Sequence, residues 1–182
     1  MSRALSHLFG HGQRTHYAER AQVWAPVLIV LSFLAYLPRS KHLHIVTAVF
    51  NVYFGRTRAR GRLEPLRFDE EGPEEDIRMG SGTVSDMTWK QVVDAYSCTE
   101  CGRCQDACPA NATGKALSPS ALEINKRYFL NNHGAALAAG QPSPSGLLDF
   151  AIRPEEVWAC TTCGACIDIC PVGNEPMRDI LD

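Results

Sequence analysis

Acidic side chains are almost absent from the first third of the chain. Residues 1–62 hold nine Lys/Arg against one acid, Glu19, whereas residues 63–182 hold nine against nineteen. The overall charge of −2 therefore hides a basic arm of +8 joined to an acidic part of −10. The basic arm also holds the longest apolar run, which is not a nucleic-acid-binding pattern and points instead to a membrane surface. Other absences narrow the chemistry. No acid–base pair, phosphate-binding loop or spare cysteine nucleophile is visible, so no catalytic residue is assigned. No cleavable signal peptide is visible either, because a long polar segment precedes the apolar run and no small-residue cleavage site follows it. At 182 residues there is room for one modest domain plus an appendage.

All eight cysteines fall in two copies of one pattern. The first is Cys98-Thr-Glu-Cys101-Gly-Arg-Cys104-Gln-Asp-Ala-Cys108-Pro109, and the second is Cys160-Thr-Thr-Cys163-Gly-Ala-Cys166-Ile-Asp-Ile-Cys170-Pro171. Each reads C-x2-C-x2-C-x3-C-P, the spacing that holds [4Fe–4S] clusters in two-cluster bacterial ferredoxins. Three close thiolates take three corners of one cluster and the fourth ligates the other. The expected sets are Cys98, Cys101, Cys104 and Cys170 on one cluster, and Cys160, Cys163, Cys166 and Cys108 on the other. Four disulfides would suit a short secreted scaffold with a signal peptide. Paired zinc knuckles would need only the C-x2-C pairs. Thioredoxin-like redox use of C-x-x-C would not need two four-cysteine runs. Two clusters account for every cysteine.

Along the chain, residues 1–62 read as a membrane-anchoring segment. The polar, basic stretch 1–20, with His7, His11 and His16, reads as a cytoplasmic-facing tail or loop. Residues 23–37 are free of charge, and a transmembrane helix is expected at about 21–38, with Trp24 and Tyr36 near its ends and Pro26 in its first turns. Residues 42–54 form an amphipathic segment suited to the interface. Arg56, Arg58, Arg60 and Arg62 follow and mark the cytoplasmic side. Residues 63–86 read as an acidic linker with Gly and Pro. Residues 87–182 read as a helical cysteine domain. Thr88-Trp-Lys-Gln91 and Ser120-Ala-Leu-Glu123 fit capping boxes, residues 131–146 read as a connection, and Pro154 opens a short helix. Tyr96 and Trp158, each two residues before a run, read as packing shields. Gly102 and Gly164 let the backbone pass close to a cluster or take a conformation closed to other residues.

The fifty-odd helix-rich residues between the runs resemble the α-helical ferredoxin domain of heterodisulfide-reductase C-type subunits and of the succinate dehydrogenase iron–sulfur subunit. The phrase Pro38-Arg-Ser-Lys-His-Leu-His44-Ile, followed by Asn51-Val-Tyr-Phe, resembles the junction in membrane-bound Fe–S oxidoreductases. These join a nitrate-reductase-γ-like haem b part to a ferredoxin domain, as in the electron-transfer-flavoprotein:menaquinone oxidoreductases. The resemblance covers residues 21–182. It implies an all-α fold, with one N-terminal transmembrane helix and an amphipathic segment ahead of a two-cluster α-helical ferredoxin domain. It also implies haem b and menaquinone through partner subunits, with His44 where the γ-like family places a haem ligand. The larger relatives continue into CCG domains, which this chain lacks. It reads as a small subunit or as a piece of a longer polypeptide.

The expected function is that of an electron-transfer module at the cell membrane, with its ferredoxin domain on the cytoplasmic side. Electrons would pass between a soluble flavoprotein or dehydrogenase and a membrane haem or quinone. The partners implied are an electron-transfer-flavoprotein-like donor, the membrane, and other membrane or CCG-type subunits, with no nucleic acid. One alternative is a soluble HdrC-like subunit of a flavin-based or disulfide-reducing complex. Another is a redox sensor that signals by cluster loss.

Overall fold

A computed structural model describes residues 13–55 and 80–181. The tail at 1–12, the Arg56–Arg62 cluster and the linker through residue 79 lie outside the described residues. Every regular element among the described residues is helical. By its contacts the chain divides into two compact units, Met1–Leu43 and His44–Asp182.

The first unit is dominated by α1, Gln13–Tyr36. At 24 residues it is about 36 Å long, enough to cross the ~30 Å apolar layer of a bilayer. Its apolar side chains, Val23 to Tyr36, all face outward. The helix begins ten residues earlier than the apolar run, so Pro26 stands inside it rather than in its first turns. Short i→i+3 turns at Leu37–Arg39 close it, with Pro38 at the start of the turn and Ser40 Oγ donating to the Leu37 carbonyl at 3.0 Å.

The second unit begins with most of α2, Leu43–Tyr53, and continues through α3, Trp89–Ser97. Thr88 caps α3 as expected. Its backbone N–H donates to Gln91 Oε1 at 2.8 Å, and its hydroxyl accepts from the Gln91 N–H at 3.4 Å. Two very short helices, α4 (Arg103–Asp106) and α5 (Pro109–Ala112), carry the end of the first cysteine run. The long helix α6, Pro119–Ala138, then crosses the unit and packs against α3, α4 and a C-terminal helix. Its cap is Ser118, whose hydroxyl accepts from the Ala121 N–H at 3.2 Å. Ser120 is not the cap, because Pro119 already occupies the first helical turn and the Ser120 hydroxyl donates to Gln105 Oε1 at 3.2 Å. Glu123 turns inward to Lys126 instead of back to the cap. The helix also runs on through much of the expected connection. Ala135, Ala136 and Ala138 are strong helix formers, Leu137 packs on the core, and the turn comes only at Gly140, φ 80°.

After α7 (Leu147–Phe150), Pro154 opens α8 (Pro154–Ala159) as expected, and α9 (Ala165–Asp168) and α10 (Pro176–Leu181) follow. The core joins Leu117, Leu122, Phe129 and Leu130 to Leu147, Ile152 and Ile180, with Phe129 stacked on Phe150 at 3.9 Å between ring centroids. Tyr96 packs half-buried against this core, in keeping with a shielding role. Trp158 does not, being 88% exposed at the end of α8.

Candidate metal centre

The two cysteine runs fold alike. Gly102 and Gly164 each precede a four-residue helix in the left-handed conformation, at φ 77° and 74°. A side chain at Gly102 would meet nothing within 4 Å, so the backbone angle, not crowding, asks for glycine there. Two residues earlier, Glu100 (φ 56°) and Thr162 (φ 55°) adopt the same left-handed region, which ordinary residues seldom occupy. At Glu100 the loop is fastened from outside. Arg127 forms an ion pair with the Glu100 carboxylate and donates from Nη1 to the Cys98 carbonyl at 3.0 Å.

Each loop closes one side of a cavity. The first cavity, about 370 Å³ and open on one side, is lined by Cys98, Cys101, Cys104 and Cys170. The second, about 290 Å³, is lined by Cys108, Cys160, Cys163 and Cys166. The fourth cysteine of each run thus stands in the cavity of the other, and the helices α4 and α9 that carry the runs pack together. Among the described residues no three His, Cys, Asp or Glu side chains gather as a single metal ion would require. Two rings of four sulfurs around a cavity fit a multinuclear cluster better than paired zinc ions.

The electrostatics fit the same group. Burial pushes the Cys98, Cys104 and Cys166 thiols up to about 12, with neighbouring acids or cysteines adding to it. Burial likewise raises Cys160 and Cys170. Iron must displace those protons, so loading releases protons and its own charge offsets the buried thiolates. Cys101, on the exposed rim, is held below the usual thiol range, chiefly by the backbone N–H of Arg103. Backbone donors also reach Cys170, where the Asn174 N–H lies 3.3 Å from Sγ. Such N–H···S contacts tune cluster potentials.

Behind the first cavity lies a buried polar network that the sequence did not disclose. The Asn51 side-chain amide on α2, fully buried, donates to Asp94 Oδ1 (2.6 Å), to the Val172 carbonyl (3.0 Å) and to Asn174 Oδ1 (2.9 Å). Lys90 Nζ pairs with Asp94 at 2.5 Å and donates to the Gly173 carbonyl at 2.9 Å. Deeper still, Lys126 lies between Glu123 (3.0 Å) and Asp179, all three almost without solvent contact. Burial raises the Asp94 and Glu123 pKa values, and the paired lysines only partly oppose it. His44 stands on the half-buried side of α2, has an interaction of its own, and is not among the residues that line either cavity.

A helical domain whose two four-cysteine loops each place their last cysteine in the cavity of the other has the architecture of a two-cluster iron–sulfur protein. Residues 97–174 match the 4Fe-4S dicluster domain family. The chain is 37% identical, over 87% of its length, to the probable iron-sulfur-binding oxidoreductase FadF of Bacillus subtilis, of which it covers 27%. It is 29% identical, again over 87% of its length, to the EtfAB:quinone oxidoreductase of Syntrophomonas wolfei, covering 25%. A probable membrane-anchored ferredoxin of Chromohalobacter salexigens is 30% identical over 70% of this chain, and 21% of that protein is covered. No solved structure matches. The resemblance to iron–sulfur oxidoreductases read from the sequence therefore holds. The chain spans about a quarter of the length of these relatives.

Proposed function

We propose that this chain is the iron–sulfur electron-transfer module of a membrane-bound respiratory oxidoreductase. The observation that carries the reading is the pair of four-cysteine cavities, side by side within a dicluster domain. Cys98, Cys101, Cys104 and Cys170 hold one [4Fe–4S] cluster. Cys108, Cys160, Cys163 and Cys166 hold the other. Bound clusters supply one-electron chemistry, and the chain fixes their spacing, burial and hydrogen bonding. α1 spans the membrane, with the Arg56–Arg62 cluster and the ferredoxin domain on the cytoplasmic side; one span then puts the N-terminal basic stretch on the opposite side, against the cytoplasmic reading of residues 1–20. The donor is a soluble flavoprotein of the electron-transfer-flavoprotein kind, a reading supported by the likeness to an EtfAB:quinone oxidoreductase. The acceptor is haem b or menaquinone in a membrane partner, with His44 as a candidate haem ligand.

Low-temperature EPR of the anaerobically purified, dithionite-reduced chain, with iron counted on the same sample, tests the core of this reading. Two spin-coupled reduced clusters with about eight iron per chain are expected. Zinc in place of iron, with no EPR signal, would overturn it. Cys101→Ala or Cys163→Ala should abolish electron flux from the flavoprotein while the chain stays in the membrane fraction. Extraction by salt wash without detergent would favour the soluble HdrC-like alternative.

A further inference from the structure

Helix α2 is built inside out for a protein in water. It carries no charged residue. His44, Thr47 and Asn51 lie on its buried or half-buried side, whereas Ile45, Val46, Val49, Phe50, Val52 and Tyr53 face outward, Val49 at 67% and Tyr53 at 80% exposure. Asn51 fastens the polar face to the Val172 carbonyl and to Asn174, and Val172 and Asn174 line the first cysteine cavity. The inner face therefore ends on the wall of one cluster site, and the outer face offers hydrocarbon apart from the Tyr53 phenol at its end.

We propose that lipid acyl chains at the cytoplasmic membrane interface cover the outer face of α2, and that the first cysteine cavity is the one on the membrane side of the domain. The proposal rests on the membrane reading above and adds which face and which cavity meet the bilayer. Lipid is favoured as the occupant because the helix follows a candidate span by chain continuity, after one short turn. The basic run Arg56, Arg58, Arg60 and Arg62 follows it, as anionic headgroups would require. An aromatic group of Tyr53, Phe54 and Trp89 sits at the end of the helix, with ring centroids 4.9 and 6.1 Å apart in succession. Aromatics gather at such an interface. On this assignment Trp158, 88% exposed and two residues before Cys160 in the second run, falls on the side away from the bilayer.

The three tryptophans of the chain make the test. Three full-length, cluster-loaded double variants each keep one: W89F/W158F keeps Trp24, W24F/W158F keeps Trp89, and W24F/W89F keeps Trp158. Each is reconstituted in phosphatidylcholine–phosphatidylglycerol vesicles, with and without acyl-chain-brominated lipid. Bromolipid should quench Trp24 and Trp89 at least twofold and leave Trp158 unchanged. Adding Val49→Glu to the Trp89 form should reduce its quenching. If Trp24 is quenched and Trp89 is not, the face is covered by a second copy or a partner protein, and the proposal fails while the membrane reading stands. Equal quenching of Trp89 and Trp158 overturns the assignment of the first cavity to the membrane side. If Trp24 also escapes quenching and the chain stays in the aqueous phase, the membrane reading itself fails.

Discussion

The two cysteine cavities are lined by the same motif and differ in almost everything behind it. The first is backed by Ser120, Glu123 and Asn174, with Arg103 on its rim. The second is backed by Leu117, Pro119, Met177 and Ile180. Two helices make the difference by standing between them. On α6, Pro119 faces the second cavity, while Ser120 and Glu123, three residues apart on one side of the helix, face the first. On α10, Pro176 faces the first, while Met177 and Ile180 face the second. One partition thus gives the repeated cysteine set one wall where Ser120, Glu123 and Asn174 stand beside Val172 and Pro176, and one wall without them. Potentials of such clusters respond to charge, hydrogen bonds and burial, so two sites alike in sequence should differ in potential.

The sharpest way to break this comparison is to remove a cysteine proposed to ligate across the runs. Cys108→Ser lies in the first run, yet it should cost the second site its cluster. Iron should fall from about eight to about four per chain, with the remaining EPR signal losing its spin coupling. Loss of the first cluster instead would overturn the pairing.

The next largest effect is on the partition itself. Lys126→Met leaves Glu123 and Asp179 buried without their cation and should destabilise the domain by roughly 3–5 kcal/mol, read by anaerobic thermal melting. pH adds a second signature. Burial works against the Lys126 charge, but Glu123 and Asp179 outweigh it and hold its pKa above the ordinary 10.5. The stabilisation from a raised lysine is whole below its unfolded value and is lost as pH rises through the folded one. Melting of the native chain should therefore decline above that value, and the variant should lack this component of the decline.

Asn51→Leu takes the donor from Asp94, the Val172 carbonyl and Asn174 together. A cost of about 1–3 kcal/mol is expected in denaturant unfolding. Asn51→Gln, which keeps the amide on a longer stem, should not restore it, because the side chain is fully enclosed.

The smallest effect sharpens the contrast of the cavities. Glu123→Gln removes a buried carboxyl group from the wall of the first site only. A partly compensated charge at an effective dielectric near 20 is worth about 1–2 kcal/mol. The midpoint of one cluster should rise by roughly 40–90 mV while the other stays put. A redox titration followed by EPR reads both at once, and equal shifts would remove the distinction between the sites.

Much of the site was legible because its chemistry is local. Cysteine spacing, the repeated Gly102 and Gly164, and the Thr88 cap each depend on residues within a dozen positions. The Ser120 capping box was misread for a reason just out of local view. Ser118 two residues back, Pro119 between them and Gln105 across the fold decide where α6 begins. Nothing in the identity of Glu100 or Thr162 announces a left-handed backbone. Only their equivalent places in the repeat could have hinted at it.

The sequence by itself determined that this protein carries two four-cysteine runs of ferredoxin spacing, a helical domain around them and an apolar, basic arm ahead of it. Spacing, period and charge are properties of neighbours along the chain, and they survive without a fold. Only the tertiary structure decided that Asn51, forty-three residues from Asp94 and more than a hundred from Val172 and Asn174, ties α2 to the first cavity. It also decided that Glu123, Lys126 and Asp179 fill the space behind that cavity. A buried polar group must find its partner wherever the chain brings one, and hydropathy along the sequence says nothing of where that will be.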